Sequence, residues 1–279
     1  MPQISFEFFP PQTPRGRVNL VRTAKVLERF QPAFYSVTYG AGGSTRERTF
    51  AAVASLRESG VNAIPHLSWS GDREDAIVAL LDDYLELGVD RVVALRGDLP
   101  SGAGTSRQLR HADSLVRLIR SRIDAPLGIE VAAYPEVHPD APSASTDIDF
   151  LKGKIEAGAT GCITQYFYNA EAYFHFRDRC AAAGIDVPIV PGVMPISNYE
   201  TLVRFSAKAG VDIPRWIQRH LDEIQGDRDA LLAFGTEVVS RLCRRLLDDG
   251  APGLHFYTLN KAPPTRAIAE RIGLPFPTG

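Results

Sequence analysis

Eight short, apolar segments recur along the chain, and most of them are followed by a stretch whose apolar residues have helical spacing. The predicted strands are residues 4–9, 34–39, 63–67, 91–95, 128–133, 161–167, 189–193 and 253–259. Strands that alternate with helices indicate a parallel sheet with crossover helices, and eight such units can close into a barrel. The sequence therefore predicts an α/β protein with a (β/α)8 TIM-barrel fold.

The helical stretches carry recognisable start and stop signals. Residues 44–59 open with a capping box formed by Ser44 and Glu47, and residues 73–87 have apolar residues at helical spacing. Glycines follow the helical segments, as expected at helix C-termini, at Gly60, Gly88, Gly158, Gly184 and Gly250. About fifty residues separate the last two strands, so extra helices are predicted at 214–224 and 227–249. No linker interrupts the pattern, which predicts a single catalytic domain over residues 1–279.

Composition limits the class of protein. A net charge of −2 with 44% hydrophobic and 23% charged residues is typical of a soluble protein and gives no reason to expect a nucleic-acid partner. The chain shows neither a signal peptide nor a membrane span, so a cytoplasmic protein without a membrane partner is expected. Cys162, Cys180 and Cys243 lie far apart without metal-ligand spacing, which predicts buried, reduced thiols and no metal site.

In a barrel of this kind, the chemistry is expected at the C-terminal ends of the strands. Glu7 lies within the segment FEFFPP, and an ionised carboxylate is costly in an apolar setting. Such a setting favours the protonated acid, which a general acid requires near neutral pH, although a structural ion pair would suit the same residue. Gln165 in CITQYFY is either a ligand-binding amide at the barrel mouth or a core amide bonded to the backbone.

The other strand ends are individually weak signals. The glycine-rich loop after the second strand is not a GxGxxG fingerprint, so a Rossmann-type nicotinamide site is unsupported. Side chains able to bind a ligand, or to serve in turns and packing, follow four other strands: His66, Arg96 and Asp98, Tyr134 and His138, and Asn260 and Lys261. The residues alone thus indicate a small-molecule enzyme that needs proton transfer and has basic groups suited to an anionic ligand, but they do not indicate hydride chemistry.

Seven segments, taken together and in order, resemble the methylenetetrahydrofolate reductase family. They are FEFFPP, SVTYGAGGST, PHL, LRGDLP, AAYPEVHP, ITQYFY and HFYTLN, which span nearly the whole chain. The resemblance implies a flavoenzyme of one-carbon metabolism and methionine biosynthesis, with FAD bound at the C-terminal ends of the barrel strands. It implies an oxidoreductase that uses NADH or NADPH to convert 5,10-methylenetetrahydrofolate into 5-methyltetrahydrofolate.

The resemblance also implies roles for individual residues. Glu7 would be the general acid that protonates N10 of the folate, before hydride passes from reduced flavin N5 in a ping-pong cycle. Asp98 would face both flavin and pterin as a catalytic residue, and it would bind substrate together with Gln165, Phe205 and Lys261. Flavin contacts are implied at Thr38, Tyr39, Ala41, His66, Arg96, Gly97, Asp98, His111, Ala112, Tyr134, His138, Asp147 and Lys154. Among these, Arg96 and Lys154 would balance the diphosphate charge.

The chain departs from the family pattern in places, and other functions compete with the reductase. Lys261 stands where bacterial relatives often have arginine, whose bidentate recognition a lysine cannot copy. Phe150 and Gly153 occupy positions where some relatives have polar flavin contacts. The family forms homo-oligomers, which are expected here. One alternative is a folate-binding methyltransferase-type barrel without flavin, and another is a barrel without catalytic activity; a bound yellow chromophore and turnover would distinguish them.

Overall fold

The computed structural model describes residues 2–39, 45–69, 73–96, 112–123 and 126–275. Eight parallel strands close into a barrel in the order β1 to β8, which confirms the predicted TIM-barrel fold. The strands are β1 Gln3–Phe8, β2 Phe34–Val37, β3 Ala63–Ser68, β4 Arg91–Leu95, β5 Gly128–Ala133, β6 Gly161–Tyr166, β7 Ile189–Val193 and β8 Gly253–Tyr257. Each of these strands ends within two residues of its predicted bounds.

Ten α-helices are present among the described residues. They are α1 Pro14–Leu27, α2 Thr45–Glu58, α3 Glu74–Glu86, α4 Ala112–Arg122, α5 Ala144–Glu156, α6 Ala170–Ala182, α7 Tyr199–Ala209, α8 Arg215–Ile224, α9 Arg228–Asp248 and α10 Ala262–Arg271. Helices α8 and α9 confirm the two extra helices predicted between the last two strands. None of the described helices has the length and apolar character that crossing a bilayer requires.

Local chemistry explains where the helices begin and end. Side chains such as Asn169 and Asn198 precede α6 and α7 and accept hydrogen bonds from backbone amides of the first turn. The five glycines predicted after helices have φ between 75° and 113°, the left-handed region that ends a helix most readily with glycine. The predicted cap Ser44 lies outside the described residues.

The apolar core has two parts. The larger one lies between the strands and the helices, where Phe6 and Phe8 of β1 are fully buried against Tyr35 of β2. The smaller one lies apart from it and consists of Phe34, Ile64, Val93 and Ile163. These four residues alternate with polar inward-facing residues, since the register sets Phe34 beside Ser5 and Val93 beside His66.

The three cysteines are buried free thiols, as predicted. Burial raises the pKa of Cys162 and of Cys180 to about 12, and it raises the pKa of Cys243 further. The thiolate is the reactive form of cysteine, so these residues serve the packing of the protein at neutral pH.

Arginines on alternate helices hold the turns at the N-terminal end of the barrel. Arg57 of α2 donates to the two carbonyls that follow α3, at 2.8 and 2.6 Å. Arg120 of α4 donates to the carbonyl of Gly158 after α5, at 3.0 and 2.8 Å. Arg177 of α6 donates to the carbonyl of Asp249 after α9, at 2.8 Å. Each arginine thus satisfies carbonyl groups that a helix C-terminus leaves without partners in the helix.

We expect Arg120→Met to lower the free energy of unfolding by about 2 kcal/mol, because the carbonyls it serves lose charged donors while the aliphatic packing is kept. Urea denaturation followed by circular dichroism measures this change. Arg122→Met, at an exposed position of the same helix, is the matched control. Equal stability of the two variants would show that the arginine contacts contribute nothing.

Candidate functional site

Glu7 points into the barrel near its C-terminal end. Successive residues of a strand face opposite sides of the sheet, so Phe6 and Phe8 point outward to the helices. The expectation that phenylalanines surround the carboxyl is therefore wrong for these two neighbours. The Glu7 side chain is 11% exposed and lies among imidazole rings instead.

Two buried histidines flank the Glu7 carboxyl. Its Oε2 lies 3.3 Å from Nε2 of His66 on β3 and 3.5 Å from Nε2 of His255 on β8. Neither contact has hydrogen-bond geometry, and both Nε2 atoms are without a hydrogen-bond partner among the described residues. On the far side of its ring, His255 Nδ1 lies 2.7 Å from Ser5 Oγ. The acid is thus close to groups that can exchange hydrogen bonds with it after a small rotation.

The environment keeps His66 neutral. Burial lowers the pKa of His66 to about 4; the nearby Glu7 carboxylate opposes this effect and His255 adds to it. At neutral pH the ring therefore carries one proton and offers one donor and one acceptor. A neutral imidazole does not form an ion pair with Glu7, so the contact between the two groups is one of hydrogen-bonding partners.

Tyr257 of β8 lies beside Glu7, with which it is paired in the strand register. The tyrosine hydroxyl donates to the carbonyl of Thr164 at 2.8 Å, and its ring stands edge-on to His255 with centroids 5.3 Å apart. Gly192 of β7 makes room for this ring, since a Cβ there would lie 2.6 Å from the tyrosine Cε2. Burial raises the pKa of Tyr257, so the phenol stays protonated.

The ends of β4 and β5 bring together several of the predicted flavin contacts. Arg96, with a side chain 38% exposed, forms an ion pair with Asp140 at 2.8 Å. The backbone amide of Asp140 donates to Nδ1 of His138 at 3.0 Å, and the His138 ring packs edge-on to Tyr134 at 4.4 Å between centroids. These side chains form one region at the barrel mouth.

Lys154 of α5 lies close to the same region. Its ammonium donates to the carbonyl of Ala132 at 2.8 Å, at the end of β5. Asp147, which accepts from the backbone amide of His138 at 3.0 Å, is close enough to raise the pKa of Lys154, whereas burial, the larger effect, lowers it. Two cations, Arg96 and Lys154, therefore lie near the ends of β4 and β5.

Gln165 and Phe205 lie on neighbouring elements across the mouth. The side-chain oxygen of Gln165, which is half-buried on β6, accepts from the backbone amide of Tyr166 at 3.0 Å. Phe205 packs against the core from α7, next to Ser206, whose hydroxyl lies 3.1 Å from that of Tyr166. The side-chain oxygen of Gln165 is thus bonded to the backbone, as the interpretation of this residue as a core amide predicted.

The loop after β5 has a strained backbone. Val137 has φ of 72°, which is rare for a β-branched residue and often marks a functional site. The preceding Glu136 accepts a hydrogen bond at 3.0 Å from the amide of Asp212, beyond α7. Burial raises the pKa of Glu136, although that hydrogen bond opposes the effect. This carboxyl links the β5 loop to the segment that follows Phe205, and sequence reasoning missed it.

The remaining predicted residues are spread around the mouth. Thr38 and Tyr39 follow β2, and the Thr38 amide donates to the carbonyl of Phe8 at 2.9 Å. Ala112 is the buried first residue of α4, and Lys261 is the exposed residue before α10. The predicted residues Ala41, Gly97, Asp98 and His111 lie outside the described residues. Of the two departures on α5, Phe150 is an exposed side chain and Gly153 has open space around it.

His255 and Ser5 are the site residues that sequence reasoning missed most clearly. Both are polar residues at inward positions of their strands, two residues before Tyr257 and Glu7 respectively. A period of two in polar residues on β1 and β8 was the signal available in the sequence.

The neutral state of His66 predicts how stability depends on pH. An unfolded histidine has a pKa of about 6.5, so between about 6.5 and the folded value of about 4 the unfolded chain binds more protons. Stability from this residue is therefore lost as the pH falls through that window. His66→Gln should flatten this part of the pH dependence in urea unfolding, and His175→Gln on the exposed face of α6 should not. Parallel curves for all three proteins would contradict the assignment.

Comparison with known proteins shows which family the sequence matches. The family model described as Methylenetetrahydrofolate reductase matches residues 1–273. The chain is 39% identical to the 5,10-methylenetetrahydrofolate reductase of Escherichia coli (strain K12), over 97% of this chain and 90% of that protein. It is 35% identical to Methylenetetrahydrofolate reductase (NADH) 1 of Arabidopsis thaliana, over 97% of this chain and 48% of that protein.

A solved structure has the same fold at low sequence identity. It is an uncharacterized protein from Clostridium thermocellum that binds two copies of 5-methyl-5,6,7,8-tetrahydrofolic acid, with a TM-score of 0.65 and 18% identity over 97% of this chain and 94% of that one. This likeness supports the barrel alone, whereas the sequence matches extend from the strand that carries Glu7 to the helix after β8. On those matches, the chain belongs to the methylenetetrahydrofolate reductase family.

Proposed function

We propose that the protein is an FAD-dependent 5,10-methylenetetrahydrofolate reductase that uses NADH or NADPH to form 5-methyltetrahydrofolate. Membership of the family supports the reductase function. The observation that carries the proposed chemistry is the Glu7 carboxyl, nearly buried at the catalytic end of the barrel between the rings of His66 and His255. The alternative of a methyltransferase-type barrel is disfavoured, because the match to the reductase family spans residues 1–273.

The residues at the mouth fit a bound FAD. His66 Nδ1 and Ser68 Oγ, towards the end of β3, are buried without a hydrogen-bond partner among the described residues, and the polar edge of a flavin ring could supply one. Arg96 and Lys154 provide positive charge suited to a diphosphate. When bound, FAD supplies the hydride chemistry of the reaction, and the protein contributes binding and orientation.

Glu7 is the proposed general acid. It would protonate N10 of the folate, which opens the five-membered ring and makes the methylene carbon electrophilic. An acid in this role must hold its proton until the substrate binds, and Glu7 lies 3.3 Å from a His66 imidazole that is neutral at neutral pH. The same carboxyl lies 3.5 Å from Nε2 of His255, whose ring is held on its far side by the 2.7 Å contact between Nδ1 and Ser5 Oγ.

The two substrates would use one pocket in turn, in a ping-pong cycle. Gln165 and Phe205 are the proposed contacts for whichever ring is bound, with Asp98 and Lys261 as further contacts. The first two lie on β6 and α7, elements joined through the Tyr166 and Ser206 hydroxyls. The structurally similar Clostridium thermocellum protein binds 5-methyl-5,6,7,8-tetrahydrofolic acid, which supports a folate as a ligand of a barrel of this shape.

The proposal predicts the colour and reactivity of the purified protein. Flavin absorbance should be present or appear on adding FAD, bleach on anaerobic mixing with NADH or NADPH, and return when methylenetetrahydrofolate is added. The faster of the two nicotinamides identifies the preferred donor. A colourless protein that neither takes up FAD nor oxidises either nicotinamide would overturn the proposed function.

We expect Glu7→Gln to slow the folate half-reaction by roughly 10²–10⁴-fold, the range typical of a lost general acid. Reduction of the flavin by NAD(P)H should stay nearly unchanged, because that step needs no proton from Glu7. Rapid-mixing measurements of the two half-reactions separate these effects. If both rates fell together, the residue would have a structural role and not that of the acid.

A further inference from the structure

The strand that carries Glu7 is held on one side by a partner from the other end of the chain. Strands β1 and β8 are adjacent in the closed barrel, and no crossover helix joins them directly. Their register runs from Gln3 with Gly253 to Glu7 with Tyr257. The proposed acid therefore occupies the last paired position of this closing seam, by which we mean the β1–β8 pair, at its catalytic end.

Side chains continue the seam beyond the strands. The Thr258 hydroxyl donates to the carbonyl of Glu7 at 2.6 Å. Two residues further on, Asn260 makes a reciprocal pair of hydrogen bonds with the backbone of Phe9: its Oδ1 accepts from the amide at 2.8 Å, and its Nδ2 donates to the carbonyl at 2.9 Å. A primary amide has the same donor and acceptor as a peptide group, so Asn260 substitutes for one more rung of the ladder.

The local sequence makes the Phe9 amide the last backbone donor of the strand end before Gln12. Pro10 and Pro11 follow Phe9, and neither has an N–H to donate. On the other side, Leu259 and Asn260 have φ of 51° and 57°, a left-handed turn that asparagine tolerates better than most residues. This turn brings the asparagine amide back to β1.

We propose that Asn260 is a positioning residue for the acid: by pinning Phe9 to β8, it fixes the height and rotation of the Glu7 side chain two residues earlier. The Oε2 atom of Glu7 must stay near His255, which lies across the same seam at 3.5 Å. Release of the strand end lets β1 shift past β8, and a displacement of about 1 Å at a reacting group can cost about 10²-fold in rate. This inference rests on the proposed function for its kinetic effect, but not for the pinning itself.

Two variants separate the hydrogen bonds from the backbone conformation. Asn260→Gly keeps the left-handed turn and removes both side-chain bonds, and Asn260→Asp keeps the acceptor and loses the donor. We expect the folate half-reaction to fall about 10–100-fold in the glycine variant and less in the aspartate variant, with flavin reduction by NAD(P)H within about twofold of the parent. The pH profile of the folate half-reaction should also shift in Asn260→Gly.

Asn169→Gly is the matched control, because it removes an asparagine that caps α6 far from Glu7 in the chain. It should lower the melting temperature and leave both half-reactions and the pH profile as in the parent. An equal loss in both half-reactions of Asn260→Gly, or no loss in either, overturns the proposed positioning role.

Hydrogen exchange tests the pinning without reference to activity. The Phe9 amide should be protected in the parent and in Asn260→Asp, and it should exchange faster in Asn260→Gly. Continued protection in the glycine variant overturns the inference whatever the kinetics show. A parent protein that oxidises neither nicotinamide overturns the proposed function instead, and the exchange result still decides the pinning.

Discussion

Closure of the sheet between its first and last strands is the constraint on which the candidate site depends. It sets Ser5 against His255 although 250 positions separate them in the chain, and it brings Glu7 alongside Tyr257. Hydrogen bonds across this pair hold polar groups in the barrel interior, where groups without partners would be costly. The site is therefore a product of the complete barrel, because its walls come from the first and the last strand.

Most of the architecture could be predicted because its signals are local. Apolar segments, helical spacing and helix-ending glycines each depend on a few consecutive residues, and they led to all eight strands and to α8 and α9. The errors lie at strand ends: β2 and β8 each stop two residues before their predicted limit. A strand ends where its ladder of hydrogen bonds ends, and that depends on neighbours distant in sequence.

The members of the candidate site could be proposed from the sequence, whereas the contacts between their side chains could not. Glu7 was found from the sequence, but its neighbours in the chain face the other side of the sheet, and the rings beside it come from β3 and β8. The strained φ of Val137 and the bond from Asp212 to Glu136 have no signature in a single sequence. The roles of Asp98 and the flavin-contacting residues stay predictions that the resemblance supplied.

The arginine ties at the N-terminal end divide the barrel in a way that its eight strands do not suggest. Arg57, Arg120 and Arg177 each join one helix to the turn after a later one, so α2 belongs with α3, α4 with α5 and α6 with α9. Three pairs of helices thus form double units, each held together at the face opposite the chemistry. Loops at the catalytic face can then change in length, as the α7–α9 insertion illustrates, without disturbing the ties that hold the units together.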